Sequence, residues 1–243
     1  MICKKMGRKS ISVCMATYNG SKYVKEQLDS ILNQLDAYDE VIISDDGSTD
    51  NTMEIIKSFN DERIRLYSNC FHNLNLNFEF TLKQASGEYI FLSDQDDVWL
   101  PGKVEEMLVA LENHSLACSD CFVVNSNLDI ISSSLYRTTK KIKTGFWNNF
   151  VICNYIGCCM AFRRSLLDKA LPFPKGLICH DVWLGLVAEA FGTPVFINKQ
   201  LIKYRRHSNN ASQTTIGSTL PLKEKIAYRL LMLWGIMKIK FHI

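Results

Sequence analysis

Three short polar clusters hold the side chains best suited to chemistry. The densest is Asp94-Gln95-Asp96-Asp97, with three carboxylates in four residues. Ionised together they repel one another, and a divalent cation or water relieves that repulsion. Hard cations such as Mg2+ and Mn2+ take oxygen ligands: one or two carboxylates, then water and substrate phosphates. The structural alternative is a solvated acidic turn ahead of a helix near Pro101. In Asp45-Asp46-Gly47-Ser48-Thr49-Asp50, Asp45 is placed to accept a hydrogen bond from the imide N–H of a uracil or thymine ring. Gly47 allows a tight turn there. Capping and turn formation account for the rest, with Ser48 or Thr49 expected to cap the next helix. Thr17-Tyr18-Asn19 offers an aromatic ring to pack on a base, or a loop aromatic that covers the core.

Two later motifs complete the set. Asp181, in His180-Asp181-Val182-Trp183, precedes an apolar stretch and reads as a helix N-cap or as a general base that takes a proton from an attacking hydroxyl. Tyr204-Arg205-Arg206-His207-Ser208-Asn209-Asn210 brings two arginines and a histidine into a polar loop. Such a loop suits a diphosphate, His207 is an alternative metal ligand, and a solvated basic loop is the structural reading.

The elements that must position these groups follow from hydrophobic periodicity. Short apolar runs at Ile11–Met15, Val41–Ile43, Ile64–Tyr67 and Tyr89–Leu92 read as buried strands. Between them lie helical faces: Val24, Leu28, Ile31, Leu32 and Leu35 after an N-cap at Ser21; Met53, Ile56 and Phe59; and Phe78, Leu82 and Ala85, stopped by Gly87. A fourth begins near Pro101. Strand and helix alternate four times, the pattern of a parallel sheet with flanking helices, where ligands bind beyond the carboxyl ends of strands. All three polar clusters fall at such ends. The second half is less regular: strands at Leu116–Val124 and Cys158–Phe162, helices at Ser165–Ala170 and Val182–Phe191, and edge strands at Val195–Ile197 and Leu201–Tyr204.

The 243-residue chain is 47% hydrophobic and 22% charged, an ordinary globular composition, and its net charge of +3 gives no reason to expect nucleic-acid binding. The nine cysteines, Cys3, Cys14, Cys70, Cys118, Cys121, Cys153, Cys158, Cys159 and Cys179, are odd in number and scattered through apolar segments. That pattern reads as reduced thiols in a cytoplasmic protein. Cys118 and Cys121 form a lone C-x-x-C without the second pair that a zinc site needs. No signal peptide or membrane span is expected. The tail from Lys223 mixes five Lys and Arg residues with apolar ones and a single Glu224. It is either a docked helix or one that lies on an anionic membrane.

In this order, Ile11 to Gly20, Val41 to Asp50 and Leu92 to Trp99 resemble the inverting glycosyltransferases of family 2, and the motifs at His180 and Tyr204 resemble their bacterial rhamnosyltransferase-like branch. His180 stands where many members carry glutamate, a departure typical of that branch. The resemblance covers residues 10 to 212 and implies one α/β nucleotide-diphosphosugar transferase domain (GT-A-like) with a Rossmann-like mixed central sheet. Residues 10–115 would be the nucleotide-sugar-binding half, 116–212 the acceptor side, and 213–243 a basic amphipathic tail. It further implies Thr17, Tyr18 and Asn19 at the base pocket, Asp45 on the base, Asp94 near the ribose, and Asp96 on Mg2+ or Mn2+. Arg205, Arg206 and His207 would lie at the diphosphate, with Asp181 as catalytic base. The partners implied are a nucleotide-sugar donor, dTDP-rhamnose in this branch, and a glycan or lipid-linked glycan acceptor. The place is the cytoplasm or the inner face of the cell membrane, in cell-surface polysaccharide synthesis. A sugar-nucleotide nucleotidyltransferase is the first rival, but Thr17-Tyr18-Asn19-Gly20 lacks the basic, glycine-rich phosphate loop it would need. A non-catalytic nucleotide- or carbohydrate-binding domain is the second.

Overall fold

The computed structural model describes residues 9–136, 142, 144–207 and 221–241. The strands are β1 (Ile11–Thr17), β2 (Glu40–Asp45), β3 (Ile64–Ser68), β4 (Tyr89–Ser93), β5 (Val98–Trp99), β6 (Leu116–Val124), β7 (Ile130–Ser132), β8 (Met160–Arg163) and β9 (Pro194–Arg205). The helices are α1 (Val24–Leu32), α2 (Thr52–Ser58), α3 (Leu74–Gln84), α4 (Lys103–Leu111), α5 (Phe146–Val151), α6 (Leu167–Ala170), α7 (His180–Phe191) and α8 (Leu222–Phe241).

One mixed sheet runs β3-β2-β1-β4-β8-β6-β9-β5, with β7 on β6. The first four strands are parallel, as their alternation with helices predicts. All seven residues of β1 and all five of β4 are buried, so these strands are apolar throughout instead of alternating. β8 then enters antiparallel between β4 and β6, and joins the two halves of the chain into one sheet.

Several local expectations are corrected. α1 begins at Val24 after Tyr23, and Ser21 instead donates its backbone N–H to Asp50. α2 begins at Thr52, too far along for Ser48 or Thr49 to cap it; Asp50 accepts from the Thr52 N–H. Gly87 lies three residues past the end of α3. It is glycine because a Cβ there would stand 2.6 Å from the β1 backbone at Ile11 and Ser12. The two expected edge strands are a single interior strand, β9, paired with β6 on one side and β5 on the other. Its register jumps from Ser119↔Ile197 to Asp120↔Gln200, so Asn198 and Lys199 bulge out, and this polar interruption hides the strand in the sequence.

Candidate active site

Parallel register brings Thr17, the last residue of β1, level with Asp45, the last of β2. Thr17 Oγ1 donates to Asp45 Oδ2 (2.9 Å), and Ser48 donates through its N–H and its hydroxyl (2.8 and 2.6 Å). These bonds hold a fully buried carboxylate at the strand end, with capacity for a further donor. Asp46 has a different job. It accepts the backbone N–H groups of Phe71, His72 and Asn73, which fixes the loop into α3. Asn19, at φ 47°, ties the first two clusters together: its N–H donates to Ser48 Oγ and its Oδ1 accepts from Thr49 N, both at 2.8 Å. Gln95 clips the Tyr18 backbone with a bond to N and another to O, leaving the ring 54% exposed.

The acidic loop joins β4 to β5, and Arg205 braces it from beneath. The Arg205 side chain is 2% exposed. Its guanidinium donates to Asp96 O and Ser126 O (2.7 Å each), pairs with Glu26, and lies 4.4 Å from the Tyr23 ring centroid. Its backbone N–H donates to Asp97 Oδ1 at 2.9 Å. The position expected at the diphosphate is therefore spent inside the protein. His207 Nε2 lies 2.8 Å from Asp96 Oδ2, with its ring stacked on Tyr23. Arg206 reaches Tyr204 OH, and Ser208 to Asn210 lie outside the described residues.

Burial, then the charges of Asp96 and Asp181, push the Asp94 carboxyl up to about 7. Burial, with Asp96 and Asp94, pushes Asp97 well above the usual range. Asp97 Oδ2 is buried without a hydrogen-bond partner. A loop whose carboxylates resist joint ionisation fits a cation better than a solvated turn. The Asp96 oxygen facing the His207 nitrogen is a donor pair suited to a divalent ion. Oxygens of Asp94 and Asp97 and Cys158 Sγ also lie within 4.8 Å of one another. Cys118 and Cys121 belong to no metal-ligand group among the described residues, and the described cysteines are free thiols.

Asp181 is the second residue of α7, in its first turn, and not the N-cap; that place is Cys179, which makes no side-chain cap. What anchors the start of α7 is Asn75 on α3. Its Nδ2 donates to Leu177 O and Ile178 O (2.8 and 3.0 Å), and its Oδ1 accepts from His180 N at 2.9 Å. Asn73 caps α3, and Asn77 donates to Ser44 O. The three are missed by motif reading, although asparagine alternating with leucine over 73–77 is the signal they leave. His180 is buried and stacked on Phe78, and burial lowers its pKa, so its ring stays neutral.

A cavity of about 510 Å3 connects these groups. Its lining includes Thr17, Tyr18 and Asp46, Asp94 and Asp96 of the acidic loop, and Asn75, Gly157 and Asp181. Asp45, Asn19, Arg205, Arg206 and His207 are not among its lining residues. An exposed aromatic ring, an acidic loop and a further carboxylate on one cavity are features that a nucleoside diphosphate carrying a sugar can use.

The curled mixed sheet with its acidic loop is the GT-A fold of glycosyltransferases. The structure of S. aureus TarS 1-349 in complex with UDP-GlcNAc matches it with a TM-score of 0.71 at 18% identity, over 95% of this chain and 67% of that one. Glucosyl-3-phosphoglycerate synthase from Mycobacterium tuberculosis, in complex with Mn2+, UDP and phosphoglyceric acid, matches at 0.59 and 20% identity, over 95% and 78%. Residues 12–171 match the model of Glycosyl transferase family 2, and the chain belongs to that family. It is 32% identical over 215 residues to the UDP-Glc:alpha-D-GlcNAc-diphosphoundecaprenol beta-1,3-glucosyltransferase WfgD of Escherichia coli, covering 86% of this chain and 79% of the relative. It is 28% identical over 236 residues to the dTDP-rhamnosyl transferase RfbG of Shigella flexneri, covering 87% and 76%.

Proposed function

We propose that this glycosyltransferase moves a sugar from a pyrimidine nucleoside diphosphate onto a hydroxyl of a glycan or lipid-linked glycan, with inversion, in bacterial cell-surface polysaccharide synthesis. One observation carries the reading: Asp181 and the acidic loop open on the same cavity, close enough for the Asp181 charge to raise the Asp94 carboxyl. Asp181 takes the proton of the acceptor hydroxyl as that oxygen attacks the anomeric carbon from the face opposite the diphosphate. A single displacement needs no protein nucleophile; burial pushes the Cys14 and Cys118 thiols up to about 12.

Thr17 and Tyr18 hold the base, with Asn19 fixing their loop and Asp45 accepting the imide N–H; Asp94 faces the ribose. Asp96, with His207 beside it, holds Mg2+ or Mn2+. The cation, when bound, offsets the charge that develops on the departing diphosphate. Arg205 keeps that loop in place, and Arg206 lies next to it. Uridine and thymidine share the imide, and the two relatives named above act on one of each. The Shigella relative supports dTDP-rhamnose as donor. Residues 10–115 form the nucleotide-sugar-binding half and 116–212 the acceptor side, which also lends Arg205, Arg206 and His207 to the donor site. The protein works in the cytoplasm, peripheral to the membrane through its tail; no helix among the described residues is long and apolar enough to cross a bilayer.

Calorimetry with UDP- and dTDP-sugars and Mn2+, on the wild type and Asp96→Ala, tests the donor site. Metal-dependent binding of one donor, lost in the variant, supports the reading. Binding of a nucleoside triphosphate with pyrophosphate release would favour a nucleotidyltransferase. Donor binding with no transfer to any lipid-linked acceptor would favour a non-catalytic domain.

A further inference from the structure

α8 has two apolar faces, and the fold uses one. Met232, Gly235 and Ile236 are buried on the inner face. Gly235 sits so close to Trp183 that a Cβ would stand 2.8 Å from its ring, and Tyr228 OH meets the backbone of Cys179. The outer face carries Ile226, Leu230, Trp234, Met237 and Phe241, all exposed. Their spacing follows the helical period and aligns them in one stripe along the side facing away from the protein.

The stripe continues onto α5. Arg229 donates to Val151 O at 2.8 Å and lies over the Phe150 ring, which ties α8 to the end of α5. There Trp147, Val151 and Ile152 are 67, 65 and 69% exposed. Around this surface α8 places Lys223, Lys238 and Lys240, with Arg229 on the α5 side, against Glu224 as its one acidic residue; Lys225 falls toward the inner face. Lys238 and Lys240 sit over the rings of Trp234 and Phe241.

We propose that the outer face of α8 and the end of α5 form one docking surface for an anionic lipid bilayer, on which α8 lies in the plane of the headgroups. Two observations select a bilayer over a second copy of the chain. Copies meeting through this face would set cations against cations, whereas anionic headgroups meet them with opposite charge. The exposed set also mixes aliphatic side chains with Trp147, Trp234 and Phe241, the composition that partitions at the headgroup–acyl boundary. Position gives the surface a purpose. Tyr228 contacts Cys179, which lines the cavity beside Asp181, so α8 flanks the acceptor end of the site. A protein seated by this face holds that end near the membrane surface, within reach of a sugar chain carried on a lipid. This purpose rests on the proposed lipid-linked acceptor; the docking itself does not.

Flotation of the full chain with phosphatidylcholine vesicles, with and without phosphatidylglycerol, tests it. Binding is expected only with the anionic lipid and is expected to weaken as salt rises. Lys223→Gln, Lys238→Gln and Lys240→Gln together should weaken it about a hundredfold, at roughly a kcal/mol for each cation near the surface. Leu230→Glu with Trp234→Glu, and separately Trp147→Glu with Ile152→Glu, should each reduce it at least tenfold while leaving the melting temperature and donor binding unchanged. Equal binding to neutral vesicles, or full binding by either acidic pair, overturns the surface. So does self-association in sedimentation that the same variants abolish. Donor binding is scored in parallel: its loss with vesicle binding intact counts against the glycosyltransferase reading, and the reverse counts against this surface alone.

Discussion

Replacing Arg205 by methionine separates a structural brace from a phosphate ligand. The substitution keeps the apolar length of the side chain and removes the guanidinium. Asp96 O, buried, and Ser126 O, half-buried, then lose donors at 2.7 Å. The orphaned Asp96 acceptor costs about 1–3 kcal/mol, and Ser126 O costs less because water reaches it. The third partner, Glu26, has a side chain 49% exposed and turns to water, so its lost pairing adds less than about 1 kcal/mol. Packing of the methionine recovers a part, which leaves a net loss of about 2 kcal/mol. Urea denaturation measures it as a lower midpoint with an unchanged slope. Because Asp96 O is one of the freed groups, Mn2+ and donor affinity should fall too, by roughly tenfold. Arg205→Lys should lie between, since one ammonium cannot reproduce the planar fork. A methionine variant as stable as the wild type but unable to bind donor would refute the brace and place Arg205 at the diphosphate.

Asp181→Asn should leave donor affinity within about twofold and lower transfer by 10²–10⁴-fold, as expected when a general base is removed; release of the nucleotide diphosphate measures it. Gly185→Ala should destabilise the protein by about 1–3 kcal/mol, because its Cβ would stand 2.1 Å from the Tyr155 ring; thermal melting reads this directly. The folded protein holds the Asp94 proton up to about 7, whereas an unfolded aspartate releases it near 4. Without metal, stability should therefore fall as pH rises from about 4 to 7, by an amount on the order of a few kcal/mol. Asp94→Asn should flatten that slope in urea titrations at several pH values, and Mn2+ should restore stability at neutral pH.

The first half of the fold is legible because its central strands are buried on both faces and read as unbroken apolar runs. The polar breaks after Met15, Ile43 and Leu92 mark their carboxyl ends, so the sequence itself shows where the cavity rim falls. The rest resisted for identifiable reasons. β5 has two residues, too few for a period, and β9 hides behind the bulge at Asn198 and Lys199. Motif spacing gives the type of Arg205 but not its direction, and only burial shows that it points inward. The Asn-Leu alternation over 73–77 marks Asn75 but not its role, since its partners Leu177, Ile178 and His180 lie a hundred residues away.

β8 is a seam with consequences for how such a protein diversifies. Every bond around Asp45 and Asp46 comes from residues between Thr17 and Asn73, on the β4 side of that seam. Apart from Asn75, the cavity-lining groups around Asp181, among them Gly157, Ile178, Cys179 and His180, come from 144–191, on either side of β8 in the chain. Changes confined to 144–191 can reshape what approaches Asp181 without disturbing a single contact to the carboxylates at the end of β2. A lineage can in this way explore new linkages while keeping one activated-sugar supply, and Asn75 is the hinge pin that each new wall must still accommodate.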